Sequence, residues 1–413
     1  MESAVAIANP EREDLTHEVA FGGITGDADP VYGFVKPGFE AVREAFTANI
    51  TSGADVGASA CVFVDGEAVV DLWGGYFDTT YTRPFERNTI VNGFSSTKTM
   101  TALCALVLAD RGEIDLNAPV KKYWPEFAAA GKDRIEVRHI VSHTSGLAGW
   151  TEPMTLQDIF DWEKSTTLLA RQAPWWEPGT ASGYHAFNMG HLVGEVVRRI
   201  TGMTMGTFLR KEIAGPLGVD YYIGTPAERD GQVSLLIQGY PIQPSGHAFY
   251  RRALLNPPAR PFDSWSVGWR RAELGAVNGH GNARAIAAIQ SVLANGSVGG
   301  KRFMSEQGRL RMLEQQADGL DLVLSVPLKW GIGYCLNSPV TLAWTTAGNG
   351  APQKIGNRVG HWGGGGGSMS YVDLDARMAF GYAPNRWITG THEQDRSMNV
   401  LKAVYGCLSR LMP

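Results

Sequence analysis

The chain has 413 residues, 44% of them hydrophobic and 19% charged, with a formal net charge of −4. That balance belongs to a globular protein with ample core, and its mixed signs leave no footprint for a polyanion, which excludes nucleic acid as an expected partner. Four scattered cysteines without a C-x-x-C pair, no apolar leader in residues 1–30 and no apolar stretch longer than Ala102 to Ala109 predict a cytoplasmic protein with free thiols and no membrane span.

Residues 1–29 read as a loosely structured N-terminal extension. Phe39, Val42, Phe46 and Ile50 recur at helical spacing and predict an amphipathic helix over 37–51. Two β-rich runs, 57–64 and 67–76, meet at Asp65-Gly66 as a hairpin, and 96–111 reads as a helix ending near Gly112. From 115 to 320 the pattern is mixed helix and long loop. Two helices stand out there, 188–201 ending at Gly202 and 283–294 capped by Asn282, whereas 225–275 shows little periodicity. The β pattern returns from 330, with a second hairpin at 368–373 and 377–383. Thr391-x-x-Gln394 is a capping box for a last helix. Strands at both ends predict an α+β fold with one antiparallel sheet: an α/β subdomain from 30–112 and 325–413, and a helical insertion at 113–324. Together they form one compact unit with a cleft between its parts.

Ser95-Ser96-Thr97-Lys98 places a hydroxyl and an amine three residues apart at the start of the 96–111 helix. Residues so spaced share a helix face, and the helix N-terminus favours negative charge. A serine nucleophile needs a base. The G-x-S-x-G signature of histidine-assisted hydrolases is absent from the sequence, which leaves Lys98 as the nearest candidate. Taken without company, Ser95 is an N-cap serine and Lys98 a solvated lysine. The company consists of Ile140-Val141-Ser142-His143-Thr144-Ser145-Gly146-Leu147, of Gly183-Tyr184-His185-Ala186 running to Gly190, and of Gly360-His361-Trp362-Gly363-Gly364 with three further glycines.

In that order and spacing the four motifs resemble the serine β-lactamase-like superfamily, and most of all its family VIII carboxylesterases. The resemblance covers about residues 30–410 and implies a β-lactamase/transpeptidase-like fold. It also implies Ser95 as acylating nucleophile, Lys98 as its partner and Tyr184 as the tyrosine of the proton-transfer pair, with Gly190 at a helix-packing position. His361-Trp362-Gly363 stands where β-lactamases have K-T-G, so backbone N–H groups of Ser95 and of Gly363 or Gly364 are the implied oxyanion donors. An ammonium at Lys98 beside Tyr184 favours the phenolate, and which of the two is the formal base stays open.

Two departures point to neutral esters. Ala186 replaces the amide-bearing third residue of Tyr-x-Asn, and His361 or Trp362 replaces a lysine that binds substrate carboxylate. His185 and Trp176 are read as pocket residues, with Trp265 and Trp269 either core or acyl-pocket walls, and the five glycines as a strand open to substrate. His143 is read as a loop-fixing residue. His139 and His143 lack an acidic or cysteine partner for a metal. The resulting expectation is hydrolysis of short- to medium-chain esters of small molecules without metal or organic cofactor. A β-lactamase or D-amino-acid peptidase of the same superfamily, and a silent binding protein, are the alternatives. Oligomeric state is not legible.

Overall fold

Asp65 and Gly66 both adopt positive φ, 52° and 81°, the pair of left-handed residues that a tight two-residue hairpin turn demands. In the computed structural model, which describes residues 31–237, 247–338, 356–388 and 395–411, they join the strands Gly57–Val64 and Glu67–Gly75. The second hairpin, Ser368–Asp373 with Met378–Pro384, lies directly beside the first. Gly57–Val64 and Met378–Pro384 pair antiparallel, from Val64 opposite Met378 to Ala58 opposite Pro384. Around that centre a sheet of nine strands among the described residues extends outward. Val31–Val35 closes one edge; Val359–Gly364, Cys335–Leu336, Pro327–Trp330 and Ala317–Leu320 follow toward the other.

Each face of the sheet has its own cover. Helices Glu40–Thr51 and Asp395–Leu411 bury Val42, Phe46, Ile50, Val400, Leu401 and Val404 on one side. The other side carries Ala283–Asn295 and, next to it, Thr97–Asp110, within the larger core that continues into the helical region. Asn282 caps the first of these by accepting the Ala285 N–H at 3.0 Å. Gly381 lets that helix seat closely, since a Cβ there would stand 2.3 Å from the Ala283 carbonyl oxygen. Met189–Thr201 ends, as the sequence predicts, at Gly202 with φ 70°.

Several features depart from the sequence reading. The edge strand Val31–Val35 was not anticipated, because Gly33 interrupts its alternation; a Cβ there would lie 1.9 Å from the Asp71 carbonyl oxygen. Helix Ala283–Asn295 and strand Ala317–Leu320 fall within 113–324 yet belong to the sheet and its cover. The 225–275 stretch contains short helical pieces, among them Ala227–Gln232, Pro261–Trp265 and Val267–Arg271. None is long enough to display a periodicity. Of the five glycines only Gly363 and Gly364 are strand; Gly365 to Gly367 form the turn, with φ 88° and 96° at the last two. The Thr391–Gln394 capping box lies outside the described residues. Among the described residues no helix is long and apolar enough to cross a membrane.

Candidate active site

The short strand Val91–Asn92 leads through Gly93 into a 3-10 turn, Phe94–Ser96, and then into helix Thr97–Asp110. Phe94 sits at φ 44°, a left-handed conformation uncommon for a bulky residue and held by surrounding packing. The rings of Trp387 and Trp269 grip its side chain at 4.9 and 6.1 Å between centroids. The turn presents Ser95 half-buried, while its neighbour Ser96 is wholly buried and donates to the Gly93 carbonyl at 2.8 Å.

Lys98, 1% exposed, reaches back along the helix to Ser95, with Nζ 3.2 Å from Oγ. The same nitrogen donates to the carbonyls of Ala186 at 2.8 Å and Ala276 at 2.9 Å. Burial pushes the lysine well below its ordinary pKa, because desolvation disfavours the charged amine. A neutral amine has two N–H groups, matching the two carbonyls, and one lone pair, which is left for the serine hydroxyl. The sequence reading missed Ala276, whose contribution is a carbonyl and carries no side-chain signal. Gly190 makes that carbonyl's approach feasible: a Cβ on it would collide with the Gly275 and Ala276 amides at 2.6 and 2.7 Å.

Tyr184 closes the other side. Lys98 Nζ lies 4.6 Å from its ring centroid, and Trp362 Nε1 donates to the phenol oxygen at 3.0 Å. Trp330 stacks on the ring at 6.4 Å and 12°, and His143 sits 5.0 Å away. Strand Val359–Gly364 runs its glycine end against the Phe94–Ser96 turn, where a Cβ on Gly364 would stand 1.9 Å from the Gly93 carbonyl oxygen. Gly364→Ala must therefore push the strand from Ser95. If the strand supplies an oxyanion donor, kcat should fall by about 10²–10³, measured on protein whose circular dichroism is unchanged.

A family model described as beta-lactamase matches residues 42–405. The chain belongs to the beta-lactamase family. Its relatives include the esterase/beta-lactamase LipL of Mycobacterium tuberculosis, 32% identical over 377 residues that cover 87% of this chain and 84% of LipL. Esterase EstB of Burkholderia gladioli is 28% identical, over 77% of this chain and 83% of EstB. Among solved structures, a family VIII carboxylesterase superposes with a TM-score of 0.84 at 39% identity, covering 91% of this chain and 99% of that one. A penicillin-binding protein homologue from Caulobacter crescentus gives 0.81 at 33%, with the same coverage. The β-lactamase/transpeptidase-like fold is thereby established.

Within this beta-lactamase-family frame, not every residue singled out from the sequence faces the cleft. His185 is wholly buried, and its Nδ1 donates to the Gly183 carbonyl while Nε2 accepts from Ser145, both at 2.7 Å. Burial brings its pKa down to about 4, so it is a neutral structural residue and not a pocket edge. His361 is corrected likewise. Alternation along the strand sends its ring to the opposite face, stacked on Tyr371 at 5.6 Å and 17°, and Trp362 takes the side of Tyr184. Ala186 contributes its carbonyl, not its methyl. Trp176 donates to the Ala181 carbonyl at 3.1 Å and covers Gly183, where a Cβ would meet its ring at 2.3 Å. Trp269 is core, at 1% exposure, and Trp265 is 45% exposed. His139 accepts the Glu136 N–H at 3.1 Å and His143 the His185 N–H at 3.1 Å. Among the described residues no three His, Cys, Asp or Glu side chains gather around a possible metal position.

Proposed function

We propose that the chain is a carboxylesterase that hydrolyses short- to medium-chain esters of small molecules through an acyl-enzyme on Ser95. The observation that carries this reading is the buried Lys98 amine, 3.2 Å from Ser95 Oγ with its other contacts taken by two carbonyls. The esterases among its relatives and the family VIII likeness at 39% identity support ester substrates. Lys98 accepts the Ser95 proton as the hydroxyl attacks the ester carbonyl. Tyr184, whose oxygen accepts the Trp362 indole N–H, gives its phenol proton to the departing alkoxide. Backbone N–H groups of Ser95 and Gly364 receive the negative charge on the former carbonyl oxygen. Water then releases the acid by the reverse proton path.

Trp362 puts an uncharged indole beside the phenol, and Ala186 has no side-chain amide. Both favour neutral esters over an anionic β-lactam. Four buried free cysteines suit a reducing, cytoplasmic setting, and the reading includes no metal or organic cofactor. The name of one relative, esterase/beta-lactamase, keeps lactam cleavage as a second reading. A panel of p-nitrophenyl acyl esters beside nitrocefin separates them: fast nitrocefin turnover with idle esters would reverse the assignment. Tyr184→Phe should lower kcat by about 10², and a near-parental rate would give the whole proton path to Lys98. EDTA should leave ester turnover unchanged; strong inhibition would point to a metal.

A further inference from the structure

We infer that Asp321 is a positioning residue for Tyr184, a role that rests on the function proposed above. Its carboxylate is wholly buried, in the turn between the sheet-edge strands Ala317–Leu320 and Pro327–Trp330. One oxygen, Oδ1, accepts three backbone N–H groups, those of Tyr184, Val323 and Leu324, each at 3.0 Å. The second oxygen, Oδ2, has no hydrogen-bond partner among the described residues. A single atom thus ties the backbone of the phenol to a turn more than a hundred residues away.

The neighbouring amides are fixed in the same manner. Gly183 donates to the His143 carbonyl at 2.9 Å and His185 to His143 Nδ1 at 3.1 Å. The left-handed backbone of His143, φ 63°, lets one residue serve both. Leu322 N–H returns a bond to the Ser182 carbonyl at 2.8 Å. The three successive amides 183, 184 and 185 all go to buried acceptors outside their own segment, with Asp321 in the middle. Val323 and Leu324 also join the apolar cluster that holds Tyr184, Trp330, Trp362 and Trp176. Asp321 therefore sets the phenol and part of the apolar wall beside it through one oxygen. A displacement of about 1 Å at a reacting group suffices for losses near 10²-fold.

The chemistry sorts three substitutions. Asp321→Asn keeps an acceptor oxygen at the same reach, since Oδ2 is not used. Asp321→Glu keeps the carboxylate but carries it one methylene further, and Asp321→Ala removes it. Steady-state hydrolysis of a p-nitrophenyl ester is measured, with active sites counted from the acylation burst so that misfolded protein does not enter kcat. Asn should stay within about threefold of the parent, while Glu and Ala lose at least about tenfold in kcat with KM within about twofold. Parental kcat per burst site in the Glu or Ala variant, or an equal loss in Asn and Glu, would overturn the inference. Should Ala fail to fold, the Asn–Glu contrast decides alone. Tyr184→Phe runs alongside: normal activity in that variant would defeat the proposed role of the phenol itself, a failure separate from that of Asp321.

Discussion

Ser95→Ala is expected to drop ester hydrolysis by about 10⁴-fold or more, to little above the rate in buffer, because no other hydroxyl can take over the attack. Ser96, its neighbour, is wholly buried and bound to the Gly93 carbonyl, and Ser145 is buried against His185. The loss should not come from unfolding. Ser95 is half-buried, and the one hydrogen bond described for its hydroxyl is with Lys98. The melting temperature should thus stay within a few degrees of the parent, as for most changes outside the packed core. Intact-mass measurement after a p-nitrophenyl phosphonate should show one adduct on the parent and none on the variant. An adduct on the variant would move the nucleophile elsewhere.

Lys98→Met should lower kcat/KM by about 10²–10⁴, the usual range for a positioned proton acceptor. The more telling substitution is Lys98→Arg. A guanidinium supplies a fixed charge and hydrogen-bond donors but does not lose its proton at any working pH. If the lysine accepts the Ser95 proton, Arg should be as inactive as Met; a much better Arg enzyme would make the role electrostatic. The pH profile carries the same test. Burial holds the amine well below its ordinary range, and only the free amine accepts a proton, so the parent's kcat/KM should rise with pH through that depressed value. Stability follows the same sign. The unfolded chain binds this proton more tightly than the folded one, so the lysine's contribution becomes more favourable as pH rises from the depressed value toward about 10.4.

Local chemistry made much of this architecture readable. Asp65-Gly66 announces its turn because few residue pairs tolerate two left-handed conformations, and Asn282 and Gly202 mark helix ends for similar steric and hydrogen-bonding reasons. The S-x-x-K spacing was legible because residues three apart on a helical turn share a face, and here the two side chains meet at 3.2 Å. What the chain hides are contacts made by backbone atoms and choices of strand face. Ala276 and Ala186 act through carbonyls, which every residue possesses. His361 and Trp362 are adjacent, so only one can face the cleft, and the glycines that follow offer no alternation to say which. His185 beside Tyr184 looked accessible only because sequence adjacency says nothing of burial. Asp321 gave no local signal, since its partners at 183–185 become neighbours only after the sheet edge forms.

Pairing of Gly57–Val64 with Met378–Pro384 has a consequence for how the enzyme is made. The first partner leaves the ribosome more than three hundred residues before the second, so the nascent chain must carry an unfilled hydrogen-bonding margin while those residues are made. Such long-range closure is slow and leaves the waiting hairpin open to illicit pairing. Trp362 and Gly364 also arrive in that closing stage, so the proposed site is assembled only after strand Val359–Gly364 has been made.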